Sequence, residues 1–168
     1  MAAPVYTTTA NRFYLNFTGL DELEVKSMAA LTYEGKVTGG DKPIQCGRRG
    51  AERHTTIAGY ETNPSMTIEV YLNDQNQGAA NRLFEWFLTC MPIEEGGSGE
   101  WANNRKDGSL TVYAPGKTKE ILRWNLDRAW IKKYSISDVD ATSGELALET
   151  YEIVAERITK VVSMATAA

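Results

Sequence analysis

One histidine and two cysteines in 168 residues leave little material for metal or nucleophile chemistry. Zinc sites draw most of their ligands from His and Cys, and Cys46, His54 and Cys90 are scattered along the chain. The cysteines show no CxxC spacing, so each reads as a small side chain folded in a reducing, cytosolic compartment. A Ser/His/Asp or Cys/His arrangement would have to use His54, and no nucleophile-elbow pattern accompanies it. The expectation is a protein without catalytic residues, cofactor or metal, and not an enzyme.

Positive charge is scarce too. Lys and Arg number 18 against 22 Asp and Glu, a formal net charge of −4, and no basic run is present. That balance argues against tracking phosphates or an anionic membrane surface. No stretch approaches the roughly 20 apolar residues of a membrane helix. Met1 to Ala10 is small and Thr-rich, without the basic end and apolar core of a secretory leader. Assembly in the cytoplasm is therefore expected. With 42% hydrophobic residues, 168 residues suit a single domain, 1–168, with a full core.

Several local motifs are incomplete. Gly116-Lys117-Thr118 ends like a phosphate-binding loop, but Thr111 stands where the loop's first glycine belongs. Gly47-Arg48-Arg49-Gly50 imitates an RNA-clamping GxxG but lies in a β-rich, acidic chain, where a turn is the better reading. Asp138, Asp140 and Glu149 occupy calcium-loop spacing, yet Ser143 replaces the required glycine. Glu94-Glu95 reads as a solvated pair beside a glycine-rich loop, and Asn16-Phe17-Thr18 as an unmodified sequon.

What the chain does have is alternation. Phe13, Leu15 and Phe17 alternate with polar neighbours, as do Met66, Ile68, Val70 and Leu72. Leu110, Val112 and Ala114 repeat the pattern, and so do Leu122, Trp124 and Leu126. Period two places successive side chains on opposite faces, so each run predicts a strand with one buried side. Val25 to Tyr33 is mixed. In Glu145 to Ile158 the apolar phase shifts from Leu146 and Leu148 to Tyr151 and Ile153, which predicts a bulge or a change of partner.

One helix is expected. Ala80, Leu83, Phe84, Phe87, Leu88 and Met91 recur at three- and four-residue steps, with Asp74 or Asn76 as cap and Pro92 as stop. Two stretches, about 38–64 and 92–108, lack periodicity and read as long loops, the second with a flexible Gly96-Gly97-Ser98-Gly99 connector. Arg48, Arg49, Arg53, His54 and Tyr60 in the first stretch suit a partner surface. The fold class is thus mainly β, a β-sandwich or barrel with one flanking α-helix.

Five segments, in order, carry a resemblance. They are Arg12-Phe13-Tyr14-Leu15-Asn16-Phe17-Thr18-Gly19-Leu20, Leu83-Phe84-Glu85-Trp86-Phe87, Arg105 to Tyr113, Arg123 to Trp130, and Ala147 to Ile153. Together they resemble the tail tube proteins of contractile phages and the inner tube proteins of extracellular contractile injection systems. The departures are Ile131 where that pattern has proline, and Glu156-Arg157 where it has His-Glu-Gly.

The resemblance implies a tail-tube (Hcp-like) fold assembled as hexameric rings that stack into a hollow tube. The implied partners are other copies of the chain, a surrounding sheath, baseplate and spike proteins, and luminal cargo, either DNA or protein. Within that reading, the segment holding Arg48, Arg49, Arg53, His54 and Tyr60 is an inter-ring contact. The alternatives are the hexameric ring protein of a type VI secretion system and a monomeric β-barrel binding module.

Overall fold

The computed structural model describes residues 13–21, 23–32, 34–39, 45–47, 50–52, 55–60, 64–72, 78–114, 120–137 and 146–162. Seven strands of this region belong to the main sheet: β1 (Phe13–Phe17), β2 (Ser27–Thr32), β7 (Ser65–Tyr71), β8 (Lys106–Tyr113), β9 (Glu120–Ile136), β10 (Leu148–Val154) and β11 (Arg157–Val162). The order is β1-β8-β9-β10-β7-β2, with β11 also on β9, and every pairing is antiparallel. The sheet is open.

The 17-residue β9 divides it. Its first part, Leu122 to Asp127, carries β11 on one side and β8 on the other; its last part, from Trp130, carries β10. The result is half A (β1-β8-β9-β11) and half B (β9-β10-β7-β2). Alternation follows the expected pattern: Leu15 and Phe17 are buried in β1, Met66, Ile68 and Val70 in β7, and Leu110 in β8. Inward residues of both halves share one core with helix α1 (Ala79–Cys90).

Helix α1 buries Ala80, Leu83 and Trp86, while Phe84 and Phe87 stack against Tyr134 of β9 at 5.0 and 5.8 Å. Trp86 adds to the apolar stripe read from the sequence. Its ring lies 5.0 Å from Phe17, and its indole N–H donates to the Asn104 carbonyl at 2.8 Å, which satisfies its polar end. The N-cap position is Gly78, without a side-chain cap bond; Asp74 and Asn76 lie outside the described residues. Glycine is an acceptable N-cap, so the start costs little.

The stretch 38–64, expected as a loop, instead holds most of a β-ribbon. Strand β3 (Gly35–Gly39) pairs with β6 (Thr55–Tyr60), and further out β4 (Gln45–Gly47) pairs with β5 (Gly50–Glu52). Among the described residues these strands pair only with each other. Runs such as Gly35-Lys36-Val37-Thr38-Gly39 offer no period-two apolar alternation, which is why the sequence pattern missed them.

The stretch 92–108 also differs from the expected flexible connector. Backbone N–H groups of Gly97, Ser98, Gly99 and Glu100 donate to carbonyls of Pro92, Leu88, Met91 and Thr89. A Cβ at Gly97 would collide with the Met91 carbonyl. The glycines here permit close approach to the helix end rather than looseness.

Leu83 is fully buried between the helix and both halves. Leu83→Ala should lower the unfolding free energy by about 2–5 kcal/mol in denaturant titrations of the dissociated subunit. A loss below about 1 kcal/mol would mean that α1 does not plug the core.

Candidate assembly surface

The described residues converge on no catalytic constellation, and their polar side chains mostly pair with one another. The densest group sits where β9 bends. Arg128 has φ 50°, a left-handed conformation costly for a residue with a Cβ, and its N–H donates to Asp107 Oδ1 at 2.8 Å. The extra residues at this bulge let β9 leave β8, whose last pairing there is Lys106 with Ala129.

Around the bend, Arg157 Nε donates to Asp127 Oδ2 at 2.6 Å. Glu156 accepts from Arg105 and, at 3.3 Å, from Arg128. Arg105 also lies 4.7 Å over the Trp101 ring, which meets Trp130 edge-on at 6.0 Å. Isolated surface ion pairs contribute about 0–1 kcal/mol each. Their effect here is directional, holding the two halves at one angle.

A second polar group lies in the core. Glu149 of β10 is 7% exposed. Its carboxylate accepts from the Tyr134 hydroxyl at 3.1 Å and from Tyr151 at 2.6 Å, and the Tyr151 oxygen also lies 2.9 Å from the Ala80 carbonyl in the first turn of α1. Burial, followed by the neighbouring Glu149 carboxylate, pushes both tyrosine hydroxyls above their ordinary range. The calcium-loop spacing that ends at Glu149 therefore has its acid already engaged by phenols.

Arg48, Arg49, Arg53 and His54 lie outside the described residues. Their flanks are clear: Gly47 pairs with Gly50, so only Arg48 and Arg49 join β4 to β5, while Arg53 and His54 join β5 to β6. Tyr60 ends β6 opposite Gly35, at the root of the ribbon. Sequence reasoning did not say which strands form the open edges, which among the described residues include β1, β2 and β11. The charge-free run Phe13-Tyr14-Leu15-Asn16-Phe17 was the available signal.

A model of the T4-like virus tail tube protein gp19 matches residues 9–159. The chain belongs to the T4-like virus tail tube protein family. Tail tube proteins are structural, so this chain is a structural tube subunit. Solved structures agree on the tail-tube fold. A chain of an extracellular contractile injection system, a PVC sheath-tube complex in the extended state, superposes with TM-score 0.71 at 15% identity, over 94% of this chain and 93% of that one. The anti-feeding prophage tube terminating cap gives 0.71 at 17% identity, over 97% and 96%. Hcp1 from Flavobacterium johnsoniae gives 0.52 at 18% identity, over 90% and 96%. No curated protein matches in sequence.

For this tail tube protein the buried phenols predict an alkaline limb. A hydroxyl whose folded pKa is raised contributes stability that is complete below about pH 10 and is lost as pH rises toward the folded value. Tyr151→Phe should cost about 1–3 kcal/mol at neutral pH, because a buried carboxylate loses a donor, and should flatten the stability loss above about pH 10. Denaturant titrations at pH 7 and pH 10.5 measure both effects.

Proposed function

We propose that this chain is the inner tube subunit of a contractile particle, either a phage tail or an extracellular injection system. Hexameric rings of it stack into a hollow tube inside a sheath, joined at one end to baseplate and spike. The observation that carries this reading is the family match over residues 9–159, combined with strands between 35 and 60 that, among the described residues, pair only with each other. An isolated two-stranded ribbon is marginal in water, and contact with another subunit stabilises it.

The ribbon is the inter-ring contact of this proposal. In it Arg48, Arg49 and Arg53 meet acidic residues of the next ring, and His54 and Tyr60 belong to the same contact. The sheath and baseplate partners are supported by likenesses to a sheath-tube complex and an anti-feeding prophage baseplate. The net charge of −4 suits a channel through which DNA passes without sticking, and protein cargo is the other candidate. Assembly precedes residence in the particle and takes place in the cytoplasm.

The type VI ring protein is the second reading. The superposition on Hcp1, 0.52 against 0.71 for the injection-system tube, favours the contractile particle.

Negative-stain micrographs of the purified chain should show rings with a central hole and tubes built from them. Deleting 47–53 should leave folded subunits and single rings without long tubes. Long tubes from the deletion variant would remove the ribbon from ring stacking, and a monomer at every concentration would sink the tube reading.

A further inference from the structure

The two ends of half B differ. At one end, Thr32 of β2 and Val154 of β10 both lie opposite Ser65, the first residue of β7. The ribbon leaves the sheet here, because β3 starts at Gly35 soon after Thr32 and β6 ends at Tyr60 shortly before Ser65. At the other end, Tyr71 closes β7 opposite Leu148, and the Leu72 N–H donates to the Ala147 carbonyl at 3.0 Å. Ile136 closes β9 opposite Glu149, and the Ser137 N–H donates to the Leu148 carbonyl at 2.8 Å. Three strand ends thus form one rim. It holds four of the nine large hydrophobic side chains exposed among the described residues: Tyr71, Leu72, Ile136 and Leu146, at 45–72%.

Clustered exposed apolar side chains mark a surface that another molecule covers. We infer that the cover is the ribbon of a second copy, each ribbon seating Val37 on the rim of the next subunit along the tube axis. The inference rests on the tube reading and gives its ribbon contact a receiving surface. The seven residues of β7, about 20 Å of strand, separate the rim from the root of the subunit's own ribbon. Val37 lies two residues out from that root, so the rim it meets belongs to another copy. A contact between opposite ends is heterologous and repeats head to tail, as elongation of a tube requires.

The chemistry of the two surfaces matches. Val37 stands 68% exposed on β3, and burying it against the rim removes apolar area from water on both sides. Charge points the same way. Residues 35–60 hold five Lys and Arg against two Asp and Glu. Residues 73–77 and 138–145, which continue the chain from the rim, hold Asp74, Asp138, Asp140 and Glu145 and no base. A basic ribbon is drawn to an acidic fringe, whereas two ribbons or two rims repel. The charges therefore select head-to-tail order.

Electron microscopy of Leu146→Lys and of Leu72→Lys/Leu146→Lys, beside the unaltered chain, tests the junction. Both leucines are half exposed or more, so circular dichroism spectra should match the unaltered protein, and rings should form without long tubes. Cysteine pairs give a second readout in a Cys46→Ser, Cys90→Ser background. Oxidised tubes of Val37→Cys/Leu146→Cys should run on a non-reducing gel as a ladder of multiples of 18.6 kDa. Either cysteine alone can give nothing larger than a dimer. Long tubes from the double lysine variant, or cysteine-pair tubes that dissolve to monomer on the gel, would overturn the junction and leave the tube reading intact. Loss of rings as well as tubes in a folded lysine variant would also overturn it, since the rim would then join subunits within a ring. An unaltered chain that forms no ring would overturn both.

Discussion

Everything in this subunit depends on one strand serving two sheet halves. β9 cannot pair with β8 and β11 at one end and face β10 at the other without a bend, and the bend falls at Arg128. A left-handed conformation at a non-glycine residue costs on the order of 1–3 kcal/mol. Asp107 offsets part of that by accepting the Arg128 N–H, and the Arg105–Glu156–Arg128 and Arg157–Asp127 pairs tie the strands on either side. With the angle set, one helix covers the inner faces of both halves.

That arrangement divides the labour. The core between the halves supplies rigidity, and its buried Glu149 links β10, β9 and the first turn of α1 through two phenols. Between 35 and 60 the described strands pair only with one another, and Val37 of β3 stands exposed. For a structural tube protein the function lies in the geometry of contacts between copies rather than in a reacting site. The ion pairs at the bend matter for the same reason: an error of a few degrees per subunit accumulates around a ring.

Much of this was legible in the residues. Strands at Phe13–Phe17, Ser65–Tyr71 and Lys106–Tyr113 show alternation because each has one core face and one outer face, and the helix shows its stripe because it covers a sheet. The continuation of β9 beyond Asp127 was not legible, because two bulges move its inward face from Leu126 to Ala129 and Ile131 and then to Tyr134. The phase shift near Glu149 was noticed, but its cause was hidden. Leu148 faces outward while Glu149, a carboxylate, takes the inward position beside Tyr151. Hydrophobic patterning assigns an acid to the outside by default, and only its phenolic partners, distant in sequence, reverse that. The strands between 35 and 60 were invisible to the same method because their short runs carry no period-two apolar alternation.

The central claim is that this chain is a structural tube subunit, whose function lies in contacts between its copies. Electron microscopy of the purified chain tests it most directly. The account predicts tubes with an open central channel, built from subunits with this fold. A protein that stays monomeric at every concentration would contradict it.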